Sequence, residues 1–130
     1  MRERSVLTEA EAKAVYGKGA VAFLASDLGQ RLIAAPSVER EWPFTMQLRD
    51  GSPTMVQGIV DAAFLEDGQW ILVDYKTDRD TREGVFVPRH EKQMNWYRVA
   101  VERLTEYPVK EMWLFALRAG RAYRVRKLSV

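Results

Sequence analysis

The chain has 130 residues, 47% of them hydrophobic and 29% charged, with formal charge +2, a single histidine and no cysteine. That length allows one domain with a real core and is short for two, and the composition is that of a soluble globular chain. Disulfides, iron–sulfur clusters and thiolate-bound zinc are excluded, a multi-histidine metal site is disfavoured by the lone His90, and no apolar run approaches the ~20 residues of a membrane span.

The opening Met1-Arg2-Glu3-Arg4 lacks the apolar core of a secretory signal, so a cytoplasmic location is expected. Thr8-x-x-Glu11 has capping-box spacing and predicts a helix from Thr8 that Gly17 and Gly19 interrupt. A second helical stretch, Ala20 to Ala34, carries Val21, Leu24, Leu28 and Leu32 on one face, with Gly29 as a weak point. After Pro36 strand patterning takes over. Trp42, Phe44, Met46 and Leu48 alternate along one strand, Asp50-Gly51 signals a turn, and Thr54 to Leu65 returns. Asp67-Gly68 is the strongest hairpin signal and leads into a strand from Trp70 to Tyr75. Arg79 to Val87 reads as a polar, mobile loop. Pro88 suits the first turn of a helix whose apolar face is Met94, Tyr97, Val101 and Leu104 and which Tyr107-Pro108 ends. Two further strands, Val109 to Leu117 and Arg121 to Leu128, are split by Ala119-Gly120.

The chemistry concentrates in Gly58-Ile-Val-Asp61, Val73-Asp74-Tyr75-Lys76-Thr77 and Gln93-Met-Asn-Trp-Tyr97. Asp74 and Lys76, two apart on a strand, share a face while Tyr75 points away. Pairing about Asp67-Gly68 joins positions summing to roughly 135, the sum that sets Asp61 opposite Asp74. Two carboxylates so placed suit Mg²⁺ or Mn²⁺, which favour oxygen ligands. Gln93 and Tyr97, one helical turn apart, could contact a phosphate or order the Lys76 strand. Each piece also has a plainer reading. An Asp-x-Lys pair at a strand end is commonly a surface ion pair of little energy. Arg118, Arg121, Arg124, Arg126 and Lys127 form a basic stretch that serves equally as a solvated edge or as a phosphate contact.

These three motifs, with Arg40-Glu41-Trp42-Pro43-Phe44 upstream, resemble those of the RecB-family nucleases within the PD-(D/E)XK superfamily, most of all the C-terminal nuclease domain of the AddA branch. The resemblance runs over nearly the whole chain. It implies an α/β restriction-endonuclease-like fold, with a mixed, largely antiparallel central sheet flanked by helices. Residues 1–130 would be a single nuclease domain, an N-terminally cut piece of a larger helicase–nuclease of double-strand break repair. The implied activity is a Mg²⁺-dependent deoxyribonuclease (exonuclease) using Mg²⁺ or Mn²⁺ held by Glu41, Asp61, Asp74 and the Tyr75 carbonyl. Lys76 would orient or deprotonate the attacking water, and Gln93 and Tyr97 would support the site. The implied partners are DNA delivered as single strands, the helicase region of the same polypeptide and an AddB-like partner. Two departures stand out. No histidine precedes Glu41, where family members carry one on an upstream helix, and His90 occupies a position that is often tyrosine. A non-catalytic DNA-binding or docking module that keeps the fold is therefore the alternative. No Gly-x-x-x-x-Gly-Lys-Ser/Thr occurs, so ATP binding through a P-loop is not expected of these residues.

Overall fold

The computed structural model describes residues 9–47 and 55–130, with side chains from 16 onward. The expected cap at Thr8 and the turn at Asp50-Gly51 lie outside the described residues, as does Leu48. Two helices, α1 (Glu9–Ala25) and α2 (Asp27–Ala34), precede strands β1 (Val38–Gln47), β2 (Met55–Glu66) and β3 (Gln69–Lys76). Helix α3 (Glu83–Thr105) then crosses to β4 (Val109–Ala116), and β5 (Arg121–Val125) follows. The five strands form one sheet in chain order, antiparallel except for β3 and β4, which are parallel because α3 carries the chain back across a sheet face. This is the α/β, mixed and largely antiparallel sheet expected.

The sheet is covered on both faces. Against one side α3 packs Met94, Tyr97 and Val101 onto Trp70, Leu72, Met112 and Leu114. Against the other, Phe23, Leu28 and Leu32 of α1 and α2 pack onto Phe64, Ile71, Val73 and Phe115. Burial on both faces explains why β3 reads as the unbroken apolar run Trp70-Ile-Leu-Val73.

Several local expectations are corrected. Gly17 and Gly19 do not interrupt α1, which runs through both. Gly19 is buried where a Cβ would stand 2.6 Å from the Leu117 side chain, so its role is close approach to the sheet. The break falls instead at Ser26, whose Oγ accepts from the Gly29 N–H at 3.0 Å and caps α2. Gly29 is no weak point, since a Cβ there would meet the Phe23 carbonyl oxygen and close the tight α1–α2 corner off. The segment expected to be a mobile loop from Arg79 to Val87 is helical from Glu83. Pro88 accordingly sits in the second turn of α3, where it forfeits one hydrogen bond, and not in the first. Leu104, expected on the apolar face, is 61% exposed. Asp67 and Gly68 both adopt positive φ, 52° and 78°, the geometry that a two-residue turn between β2 and β3 demands. The last strand stops at Val125, and the tail is instead tied to α3 by Asn95, which accepts from Leu128 N and donates to the Arg126 carbonyl.

Candidate active site

The site forms where the β1–β2 ribbon leaves the sheet. Val38 packs on the α1/α2 side whereas Trp42 and Phe44, of the same parity, pack on the α3 side. On β2, Ala62 and Phe64 likewise face α1 and α2 while Val60 faces α3. Residues of one parity share a face in a regular strand, so both strands insert a half-turn between these points. It falls at Glu41 and Asp61. The register is continuous on either side, Arg40 with Ala62 and Trp42 with Val60, yet the Glu41–Asp61 pair is omitted from the ladder and Glu41 has φ 49°. Beyond the half-turn the ribbon curls over α3, with Phe44 edge-on to Tyr97 at 5.2 Å and Trp42 against Trp70 at 5.0 Å.

Gly58 permits that curl. A Cβ at Gly58 would lie 2.8 Å from the Phe44 ring and 3.0 Å from Tyr97 Cε1. The glycine that opens the Gly58-Ile-Val-Asp61 motif is thus a packing requirement of the site.

At the half-turn the β2–β3 ladder ends with Ala62 opposite Val73, and the next step would set Asp61 against Asp74. In place of the ladder, the Tyr75 backbone N–H donates to Asp61 Oδ2 at 2.9 Å. Asp74 is 3% exposed and hydrogen-bonds the Asp61 side chain. Lys76 Nζ stands 2.9 Å from Asp74 Oδ2 and donates to Gln93 Oε1, also at 2.9 Å. Burial first, then the charge of Asp61, pushes the Asp74 carboxyl up to about 8, with Lys76 opposing both. Burial, reinforced by the same two carboxylates, raises the Tyr97 phenol above its ordinary value. Tyr75 points to the other face, edge-on to Phe23 at 5.2 Å, with Arg40 beside its hydroxyl.

Asp61, Asp74, Lys76 and Gln93 are therefore drawn into contact, and Glu41, Tyr75 and Tyr97 line the same cleft of about 770 Å³. Glu41 is exposed at its rim. Among the described residues no group of three or more acidic or histidine side chains stands close enough to hold a metal ion. The four expected ligands thus share one cleft, but only Asp61 and Asp74 are in side-chain contact. Mutual repulsion of carboxylates gives Glu41 no reason to close on them without a cation.

Sequence reasoning passed over a second buried cluster. Asp78, 5% exposed, accepts through Oδ2 from Arg89 Nη1 and His90 Nε2, each at 2.8 Å, while its Oδ1 has no partner. Burial lowers the His90 pKa despite Asp78, so the imidazole is neutral near pH 7 and donates its Nε2 proton. Arg118 Nε donates to the Thr77 carbonyl and Tyr123 Oη to that of Thr81, at 2.8 Å each. The connection from β3 to α3 is thereby pinned by side chains. The signal was present in the sequence: Asp78 continues the alternation Asp74, Lys76. Of the basic stretch, Arg118 and Arg126 have protein partners, while Arg121, Arg124 and Lys127 are exposed.

Known proteins carry the same combination of residues. The chain is 38% identical over 135 residues to the AddA-type ATP-dependent helicase/nuclease subunit of Desulforudis audaxviator (strain MP104C), and 33% identical over 134 residues to that of Bacillus pumilus (strain SAFR-032). These alignments take in 94% and 88% of the chain but 11% of either relative, so the chain spans about a ninth of their length. In fold it is similar to the crystal structure of SSO0001, with a TM-score of 0.53 and 16% identity over 91% of this chain and 61% of that one. The PD-(D/E)XK nuclease superfamily model matches residues 3–128, a range that contains both the half-turn carboxylates and the Asp74-x-Lys76 strand end, and the chain belongs to that superfamily.

Proposed function

We propose that this chain is the divalent-metal-dependent DNA nuclease module of a helicase–nuclease, hydrolysing phosphodiester bonds in the cleft between β1–β2, β3 and α3. The observation that carries the reading is the buried Asp61–Asp74 carboxylate pair with Lys76 held beside it. One ammonium does not balance two carboxylates, and the raised Asp74 pKa expresses that shortage of positive charge. The available donors are all oxygens, which suits Mg²⁺ or Mn²⁺. A divalent ion bound there would supply polarisation of the scissile phosphate and a more acidic water. Asp61 and Asp74 would hold the ion, with Glu41 and the Tyr75 carbonyl completing its shell. Lys76, fixed by Asp74 and Gln93, would orient the attacking water and hold positive charge against the phosphate oxygens. Tyr97, kept protonated by burial, would act as a neutral wall behind Gln93.

The relatives' name supports a setting in which a helicase region of the same polypeptide delivers DNA to the site. An exonuclease mode, a cytoplasmic location and an AddB-like partner are the parts of this proposal that rest on resemblance. No helix among the described residues is long and apolar enough to cross a membrane. The second reading, a DNA-binding or docking module without hydrolysis, is favoured by the absence of a third gathered acidic group among the described residues.

The test is calorimetric titration of Mn²⁺ into the parent and Asp74→Ala, followed by cleavage of labelled DNA. Saturable binding to the parent and none to the variant is expected, with Lys76→Ala folded, still binding Mn²⁺, and slower in cleavage by about 10²–10⁴-fold. A parent that binds Mn²⁺ and DNA without cutting would establish the second reading.

A further inference from the structure

The cleft continues past the acid pair onto the α1 face of the sheet, and the residues there are of another kind. Tyr16 on α1 and Ile59 on β2 each remain 53% exposed although both line a concave surface. Arg40, exposed on β1, lies between the unpaired Glu41 and the phenol of Tyr75. The other cation lining the cleft, Lys76, is committed to Asp74 and Gln93. Among the described residues Arg40 enters no salt bridge. A half-exposed aromatic ring, a half-exposed aliphatic side chain and a guanidinium without a carboxylate partner, all in one groove, are the elements by which proteins grip unpaired nucleotides. Paired bases in a duplex turn their faces to one another and offer nothing to such a ring.

Resting on the nuclease reading, we propose that Tyr16 and Arg40 form a subsite for the unpaired deoxynucleotide flanking the one cleaved. Tyr16 stacks on its base, Ile59 closes the opposite edge, and Arg40 takes its phosphate. The subsite gives the cleft a preference for single-stranded DNA that does not depend on the metal. Placement supports the division of labour, because Arg40 is one residue from Glu41 and pairs with Ala62, one residue from Asp61. A strand whose scissile phosphate lies at Asp61 and Asp74 therefore passes Arg40 next.

Fluorescence anisotropy in EDTA tests this without hydrolysis, using a labelled oligothymidylate of about twelve nucleotides and a matched duplex. Tyr16→Ala is expected to weaken single-strand binding about tenfold, the scale of one base stack, with Tyr16→Phe retaining it. Arg40→Ala is expected to reduce the slope of log affinity against log salt by about 0.7, the share of one phosphate contact, with Arg40→Lys restoring it. Single-strand binding by Tyr16→Ala and Arg40→Ala equal to that of the parent would overturn the subsite, as would an equal loss on the duplex. The two proposals separate cleanly. A parent that binds with these signatures but does not cut after Mn²⁺ is added refutes hydrolysis alone. One that cuts while both variants bind unchanged refutes the subsite alone.

Discussion

Asp74 carries the conflict on which the site is built. Its carboxyl is pushed from an ordinary 3.8 up to about 8 by burial and by Asp61. The fold therefore favours the protonated acid. The associated stability is full below the unfolded value, near pH 4, and is lost as pH rises through about 8. Asp74→Asn, neutral throughout, escapes that loss. Its melting temperature is expected to exceed the parent's at pH 8 and to converge with it toward pH 4, while cleavage is abolished; thermal unfolding at both pH values reads this directly. A variant less stable than the parent at pH 8 would mean that Lys76 already compensates the charge. Gly58 is the second residue whose identity is dictated by surroundings. Gly58→Ala must displace Phe44 or Tyr97, an overpacking expected to cost about 1–3 kcal/mol in urea unfolding and to slow cleavage by moving the wall behind Gln93.

At the scale of elements, catalytic groups from three segments have to be held in mutual register. The half-turn at Glu41 and Asp61 turns the β1–β2 ribbon so that it covers α3. The Asp78 cluster fixes α3 to the end of β3. His90 lies one helical turn before Gln93, which accepts from Lys76, so the clasp at Asp78 and the bond at Lys76 brace the same helix face. Asp78→Ala leaves Arg89 and His90 facing a buried gap and is expected to destabilise the fold by about 3–5 kcal/mol. The pH sign is opposite to that of Asp74. His90 has a lowered pKa, so its contribution is present above its ordinary 6.5 and is lost as pH falls through the folded value. His90→Gln keeps a donor for Asp78 and cannot titrate, so it should flatten the acid limb of the stability profile. An unchanged acid limb would assign that loss to other groups.

Across the whole molecule, two apolar layers leave one end of the sheet unfilled, and that opening is the cleft. α1 and α2 seal one face through Phe23, Leu28 and Leu32, and α3 seals the other through Met94, Tyr97 and Val101. The parallel β3–β4 pairing places the carboxyl end of the central strand between them, the position at which open α/β sheets present ligand-binding groups. Further anchoring comes from behind the site, where Arg31 bridges Glu66 and Glu111 at 2.8 and 2.9 Å and ties α2 to two strands.

Alternation, turn chemistry and helical spacing were legible because they are local. Asp67-Gly68 demanded positive φ, the 2.0 period put Asp74 and Lys76 on one face, and the 3.6 period put Gln93 and Tyr97 on another. The pairing sum about the turn then brings Asp61 to Asp74 from sequence alone. What escaped depended on contacts between segments distant in sequence. Gly19 and Gly29 read as helix breakers because their neighbours Leu117 and the Phe23 carbonyl are not visible in a helical period. Arg79 to Val87 read as mobile because Thr77, Asp78 and Thr81 are pinned by Arg118, His90 and Tyr123, partners up to 42 residues away. The sequence by itself determined which groups carry the chemistry and which strand and helix faces they occupy, since both follow from residue type and backbone period. Only the tertiary structure decided that Glu41 stays at the rim, that Asp74 is buried enough to hold its proton, and that Arg40 and Tyr16 share the same cleft. Those outcomes are set by the half-turn in the ribbon and by desolvation, and neither exists until the layers close.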